Sequence, residues 1–245
     1  MIEKNVFTYW ETPAGKTIPP FIQYCLRSFL RLGKDINLIM LTPDNLHLYT
    51  KDIYMPAGWD RLKDISQKAD IIRLAMLYQY GGAWVDADTV ILKSFDHLFN
   101  EHDINLLRWK ATGALLNGYI IAKQGSPFVW DVLQALTAIL RDDFQEVYSD
   151  GCYIGQSRFY RPALMFPVNV LPLETFIPIE LAFNADCWYK EDDVKHYLTP
   201  DTVAVALNLS QYSEEFRKKS VEEHLASNNL FGSILRYSES IGSIL

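Results

Sequence analysis

Apolar and polar positions change period several times along the chain, and each change predicts an element. Residues 5–9 form a short β-favouring run, followed by a turn-rich stretch over 11–20 and apolar positions at helical spacing over 21–32. Residues 36–41 predict a second strand, stopped by Thr42-Pro43-Asp44-Asn45 because proline and turn formers do not continue a central strand. Over 66–80, Ala69, Ile72, Met76, Leu77 and Tyr80 share one helical face, with Asp64 or Ser66 available as a cap. Gly81-Gly82 closes that helix, since glycine adopts the left-handed backbone without a Cβ penalty. Ala83, Trp84 and Val85 then predict a buried strand that delivers Asp86-Ala87-Asp88 at its carboxyl end, the end where open α/β sheets bind ligands. Further strands are expected over 104–107, 119–122 and 203–209, helices over 127–140 and 214–226, and an irregular, aromatic stretch over 151–186. Alternating strands and helices predict an α/β fold with a mainly parallel central sheet flanked by helices, extended by helices at its carboxyl end.

Composition narrows the classes of function. Hydrophobic residues make up 49% of the chain and aromatics 13%, enough for a core. A net charge of -7 argues against a general nucleic-acid binder, which needs basic surface to displace counterions from phosphates. A small anionic ligand is still compatible if a divalent cation, backbone amides or a few basic residues supply local positive charge. Cys25, Cys152 and Cys187 are too few and too widely spaced for a disulfide framework or a zinc site, and they suit a reducing compartment. The start Met1-Ile2-Glu3-Lys4-Asn5 lacks the pattern of a signal peptide, and no run reaches the roughly 18 apolar residues of a spanning helix. A cytoplasmic location is expected, with peripheral attachment to the inner face of a membrane left open.

Asp86 and Asp88 stand at i and i+2, so in a persisting strand both carboxylates converge on one side. Hard oxygen ligands, few in number and supplemented by water and phosphate, suit Mg2+ or Mn2+. A lone Asp-X-Asp is common, but this one follows an apolar strand, a glycine turn and a helix carrying Asp70 and Arg73. The plain alternative for Asp70 and Arg73 is an i,i+3 ion pair on a solvated helix face, contributing a few tenths of a kcal/mol. Trp10 reads equally as a core residue. Asn117-Gly118 is a strong hairpin signal, and Asn208 reads first as a turn former.

The run from Lys68 to Asp88, KADIIRLAMLYQYGGAWVDAD, resembles the signature of DXD-containing glycosyltransferases, the group of yeast mannosyltransferase-type enzymes and bacterial capsular polysaccharide transferases. It is also similar to the corresponding stretch of the clostridial glucosylating toxins. The likeness continues more weakly upstream to Val6-Phe7-Thr8-Tyr9-Trp10 and downstream through Ile91-Leu92-Lys93-Ser94-Phe95 to Asn117-Gly118, about the first half of the chain. It implies a GT-A fold, a nucleotide-sugar donor with UDP-sugars ahead of GDP-sugars, a saccharide or lipid-linked glycan acceptor, and hexosyl transfer with retention. By the same resemblance, Asp88 ligates the metal directly, while Asp86 contacts the donor's ribose or sugar and reaches the metal through water. Asp70 and Arg73 contact the donor sugar or orient the acidic pair, Trp10 stacks on the nucleobase, and Asn117 lies near the anomeric carbon. Residues 1–245 are expected to be one catalytic domain, with 1–125 the nucleotide-sugar-binding half and 126–245 the acceptor side.

Two departures stand out. Ala69 occupies a position where the family more often has serine. The late histidine or acidic residue that relatives use to close the metal site is missing, and Asn208-Leu-Ser210-Gln-Tyr212 stands in its region, with Asn208 as candidate carbonyl ligand. Acceptor binding is expected from the 151–189 stretch, where Tyr153, Phe159, Tyr160, Trp188 and Tyr189 either stack on sugar rings or fill a satellite core. Two rival classes remain: a metal-dependent phosphoryl or nucleotidyl enzyme, for which Thr12-Pro-Ala-Gly-Lys16 is a poor phosphate loop, and a catalytically silent sugar-binding relative.

Overall fold

The computed structural model describes residues 2–142, 156–179, 186–208, 210 and 212–242. The chain divides into two compact units, each assembled from three stretches: Met1–Glu11, Asp35–Val85 and Asp96–Pro172 in the first, and Thr12–Lys34, Asp86–Phe95 and Leu173–Leu245 in the second.

The first unit is built on a six-stranded sheet. Its strands are β1 (Asn5–Tyr9), β2 (Asn37–Leu41), β3 (Gly82–Val85), β5 (Ile104–Arg108), β6 (Leu115–Ala122) and β7 (Asn169–Leu171), in spatial order β2-β1-β3-β6-β5-β7; β4 belongs to the second unit. The pairs β1–β2, β1–β3 and β5–β7 are parallel, whereas β3–β6 and β5–β6 are antiparallel. Because β1, β2 and β3 run in the same direction, their carboxyl ends emerge at one edge.

Helix α3 (Ile65–Tyr80) lies against this sheet. Asp64 caps it, accepting from the backbone N–H groups of Ser66 and Gln67. Its buried set includes Asp70, Ile71, Ile72, Arg73, Leu74, Ala75, Met76 and Leu77, so burial extends well beyond the single apolar face expected. Packing between the sheet and α4 (Pro127–Asp142) accounts for the wider burial. Phe7, Trp84, Ile120, Phe128 and Leu136 belong to the same core.

The expected stop after β2 is the start of a helix, α2 (Pro43–Thr50). Thr42 and Asn45 form a reciprocal capping box with Pro43 in the first turn, so the residues that end the strand begin the next element. Two further elements, β7 and the short helix α5 (Tyr160–Met165), fall inside the stretch read as irregular.

The glycine pair has a measurable role. Gly81 closes α3 with φ 62° and Gly82 opens β3 with φ 114°. A Cβ at Gly82 would stand 2.3 Å from the Asn5 carbonyl oxygen on β1, so side chain and strand pairing compete for one space. Gly82→Ala is expected to lower stability by about 2–4 kcal/mol, through backbone strain and a clash with a paired strand. Urea unfolding at neutral pH checks this. A loss under 0.5 kcal/mol would show that the β1–β3 approach is looser than described.

The second unit holds a two-stranded antiparallel sheet of β4 (Thr89–Ile91) and β8 (Ala204–Ala206). Helices α1 (Pro20–Ser28), α6 (Asp186–Tyr189), α7 (Glu214–Lys218), α8 (Val221–Ala226) and α9 (Leu230–Ser240) belong to the same unit. The helix expected over 214–226 is two, because Ser220 caps a new turn. Phe21, Trp188, Tyr212, Phe216, His224 and Phe231 form an aromatic core of mostly edge-to-face contacts. Among the described residues no helix is long and apolar enough to cross a membrane.

Candidate functional site

At the carboxyl edge of the first unit's sheet, three predicted residues meet. Arg73 and Asp70 are 5% and 6% exposed, which excludes the solvated ion pair as their arrangement. The Arg73 guanidinium lies 3.2 Å from Asp70 Oδ1, donates to the Asn117 main-chain carbonyl, and sits 5.2 Å from the centroid of the Trp84 ring. Asn117 Nδ2 in turn donates to Asp70 Oδ1 at 2.8 Å. The cluster joins helix α3 to strand β6.

Asn117 and Gly118 lie inside β6, so the hairpin reading of that dipeptide is corrected. The turn between β5 and β6 falls earlier, where Trp109 N–H donates to the Ala114 carbonyl and Gly113 N–H to that of Trp109. Pairing of the flanking residues, Leu115 with β5 and Tyr119 with β3, overrides the local turn preference of Asn-Gly. Since Tyr119 pairs with Val85, Asn117 stands two residues further along β6, beyond the carboxyl end of β3. Trp10 directly follows β1, its N–H donating to the Leu41 carbonyl at 3.0 Å, and it is half-buried. Beside it is a group that sequence reasoning missed. Glu11 accepts from the Tyr9 hydroxyl at 2.6 Å and from Lys68 Nζ at 3.2 and 3.3 Å, tying the segment after β1 to α3. Charged residues flanking a specific motif were the available signal.

In the second unit, the acidic pair opens the stretch that follows β3. Asp86 and Asp88 are half-buried, and Ala87-Asp88 forms a turn before β4. The extended course expected through Asp88 is therefore absent, and strand alternation does not align the two carboxylates. A different constraint fixes Asp88. Thr89 pairs with Ala206, and one step beyond, the Asp88 carbonyl accepts Leu207 N–H at 2.9 Å. Asn208 follows at once, so Asp88 and Asn208 stand at the same end of the two-stranded sheet.

The opposite edge of β4 is also held. Ile91 N–H donates to Ser28 Oγ at 2.8 Å, and its carbonyl accepts from Arg31 at 3.0 Å. Such anchoring on both edges is what a precise site requires of its scaffold. Asn208 has φ 55°, and among the described residues it alone is a non-glycine with positive φ. Asparagine tolerates this region at a cost on the order of 1 kcal/mol. Burial pushes the Cys25 thiol and the Tyr212 phenol well above their usual ranges, and in both the charge of Asp88 adds to the rise.

Asp86, Asp88 and Asn208 offer hard oxygen donors without sulfur or imidazole, the chemistry of Mg2+ or Mn2+. Among the described residues no group of three or more His, Cys, Asp or Glu gathers to hold a metal. A cation at the acidic pair would therefore complete its shell with amide, water or phosphate oxygens. In that sense the residues fit a cation shared with a diphosphate.

Of the aromatics expected at an acceptor, Phe159 and Trp188 are 1% and 0% exposed. Phe159 packs edge-to-face on Phe128, so these two fill cores and do not face a ligand. Tyr160 and Tyr189 are exposed, while Tyr153, like Cys152, lies outside the described residues. Cys25 and Cys187 are buried thiols.

Comparison with known proteins meets this description at several points. The O-glycosyltransferase braB of Annulohypoxylon truncatum is 26% identical over 150 residues, covering 52% of this chain and 35% of that protein. An uncharacterized protein of Arabidopsis thaliana is 25% identical over 190 residues, covering 71% of this chain and 26% of that one. The chain thus spans about a third and a quarter of the lengths of these relatives. Among solved structures, the apo form of the glycosyltransferase GlyE from Streptococcus pneumoniae TIGR4 superposes with a TM-score of 0.54 at 10% identity, over 98% of this chain and 62% of that one. The PaToxG glycosyltransferase gives 0.52 at 16% identity, over 67% and 69% of the two chains. A glycosyltransferase involved in glycosylation of the major capsid of PBCV-1 gives 0.50 at 9% identity, over 87% and 96%. At such identities the likeness establishes the shared fold, the GT-A fold expected from the Lys68 to Asp88 run. The sequence profile of the capsular polysaccharide synthesis protein family matches residues 1–129, a span that holds the six residues from Trp10 to Asn117 singled out above, and it is to this family that the chain belongs.

Proposed function

We propose that the protein is a glycosyltransferase that moves a hexose from a nucleotide-sugar donor to a hydroxyl of a glycan acceptor, with a divalent cation and retention of configuration. The observation that carries this reading is the bond from Leu207 N–H to the Asp88 carbonyl, which brings Asn208 to the same strand end as the acidic pair. The family and the shared fold support it independently.

In this reading Asp88 and Asn208 hold the cation directly, and Asp86 reaches it through water while contacting the donor's ribose or sugar. When bound, the cation supplies Lewis-acid stabilisation of the charge that builds on the departing diphosphate. Trp10 offers a ring for the nucleobase. The Asp70, Arg73 and Asn117 cluster, already desolvated and hydrogen-bonded, contacts the donor sugar or orients the acidic pair, so little reorganisation is needed when charge develops at the anomeric centre. Donor and acceptor held in line gain the rate advantage of proximity. The departing phosphate takes the acceptor hydroxyl's proton, so no dedicated base is required.

A thermal-shift screen of UDP-sugars and GDP-sugars with and without Mn2+ tests the reading. Ligand at about 100 times its Kd stabilises the folded state by about 2.7 kcal/mol, a rise of roughly 5–10 °C for a chain of this size. The rise is expected only when donor and metal are both present, with UDP-sugars the first choice. An equal rise without metal would count against the acidic pair. Binding without any donor hydrolysis or transfer would favour the silent sugar-binding relative.

A further inference from the structure

Leu207 is fixed from two sides. Its N–H donates to the Asp88 carbonyl at 2.9 Å, and its own carbonyl accepts the Tyr212 hydroxyl. Tyr212 is 3% exposed. Its ring stacks on Phe216 at 4.7 Å and meets Phe231, Phe21 and Trp188 edge-on. Phenylalanine would fill that aromatic cage equally well, so packing alone gives the hydroxyl no task. Among the described residues, its one hydrogen bond lands on the carbonyl directly before Asn208, the residue with left-handed backbone. Strained residues of this kind persist only where their surroundings hold them, and they cluster at ligand sites.

We propose that Tyr212 is a positioning residue for the cation: through Leu207 it keeps Asn208 in register with Asp88, so that an amide oxygen joins the carboxylate shell. The inference rests on the reading of Asp88 as a cation ligand. Mg2+-like ions demand short, near-octahedral coordination, so a small displacement of one protein ligand weakens binding. Tyr212 touches neither substrate nor metal in this scheme. Its influence passes through one backbone carbonyl, as supporting partners of metal ligands generally act.

The test is Mn2+ affinity of the whole chain without donor, read from the electron paramagnetic resonance signal of unbound Mn2+. Tyr212→Phe is expected to weaken Mn2+ binding about 10-fold, the lower end for loss of a supporting partner. Asn208→Gly suits the left-handed backbone but lacks the amide, and it should weaken binding at least as much. If Tyr212 acts through Asn208, the double variant will bind no more weakly than Asn208→Gly alone. Phe216→Leu loosens the aromatic cage while keeping the hydroxyl, and it should lower the melting temperature with Mn2+ affinity unchanged.

Wild-type affinity in Tyr212→Phe, additive losses in the double variant, or a Phe216→Leu loss as large as that of Tyr212→Phe would each overturn the positioning role. Asp88→Asn separates the two levels. If the wild type binds no Mn2+, or Asp88→Asn binds it normally, the cation reading itself fails. If Asp88→Asn abolishes binding and Tyr212→Phe leaves it intact, only the inference about Tyr212 fails.

Discussion

Asp88→Ala is expected to remove the metal-dependent part of donor binding and to lower transfer by about 10²–10³-fold, the scale for losing one preorganised electrostatic stabiliser. The fold should survive. Asp88 contributes to the β4–β8 sheet through its main-chain carbonyl, which alanine keeps. Its half-buried carboxylate lies near enough to Cys25 and Tyr212 to raise both of their pKa values. Both groups stay neutral at pH 7, so the carboxylate meets no like charge in them, and the main-chain bonds of the sheet do not depend on it. Melting temperature in metal-free buffer should therefore match the wild type within about 2 °C, corresponding to a change under 1 kcal/mol. The measurements are thermal shift with UDP-sugar and Mn2+, and release of nucleoside diphosphate. Retention of the metal-dependent shift in Asp88→Ala would sink the assignment.

Arg73→Ala should behave in the opposite way, failing first in stability. Asp70 is 6% exposed, and removing Arg73 leaves a buried carboxylate without its guanidinium partner, although the Asn117 amide still donates to it at 2.8 Å. The Asn117 carbonyl and the Trp84 ring face lose the same partner. Breaking one side of a buried pair costs about 3–5 kcal/mol, dominated by the uncompensated charge. For a chain of 245 residues this lowers the melting temperature by roughly 6–20 °C. The double change Asp70→Asn with Arg73→Met removes both charges at similar volume and should recover much of the loss. Differential scanning calorimetry of the single and double variants reads this directly. A loss below 1 kcal/mol in Arg73→Ala would mean the pair is solvated after all.

These two aspartates also show how differently the chain discloses its parts. Strands β1 and β2, helix α3 with its Asp64 cap, and the glycine turn into β3 are written locally. Each depends on propensity, capping and a hydrophobic period within about 20 residues, and each appears within a residue or two of its expected bounds. Asp88 was legible for the same reason, since a specific 21-residue run ends on it. Helix α2 was hidden although its cap was in view, because Thr-Pro-Asp-Asn ends a strand and starts a helix with the same residues.

Asn117 shows where local chemistry misleads. Asn-Gly favours a hairpin turn, yet the dipeptide lies inside a strand whose flanking residues pair with β3 and β5. Arg73 and Asp70 illustrate another limit, for an i,i+3 pair reads identically on a wet face and a dry one. The packing of β6 and Trp84 against α3 decided between them. Phe159 and Trp188 likewise had two readings in sequence, and burial among other aromatics chose the core.

By itself, then, the sequence determined the α/β class, the principal helix and the strand that leads to the acidic pair. Tertiary structure alone decided the antiparallel middle of the sheet, the dry setting of Arg73 and Asp70, and the partnership of Asp88 with a residue about 120 positions away. The physical reason is range. Propensity and periodicity act over one element, whereas a β-ladder, a buried charge and a metal shell depend on which distant segments share a space.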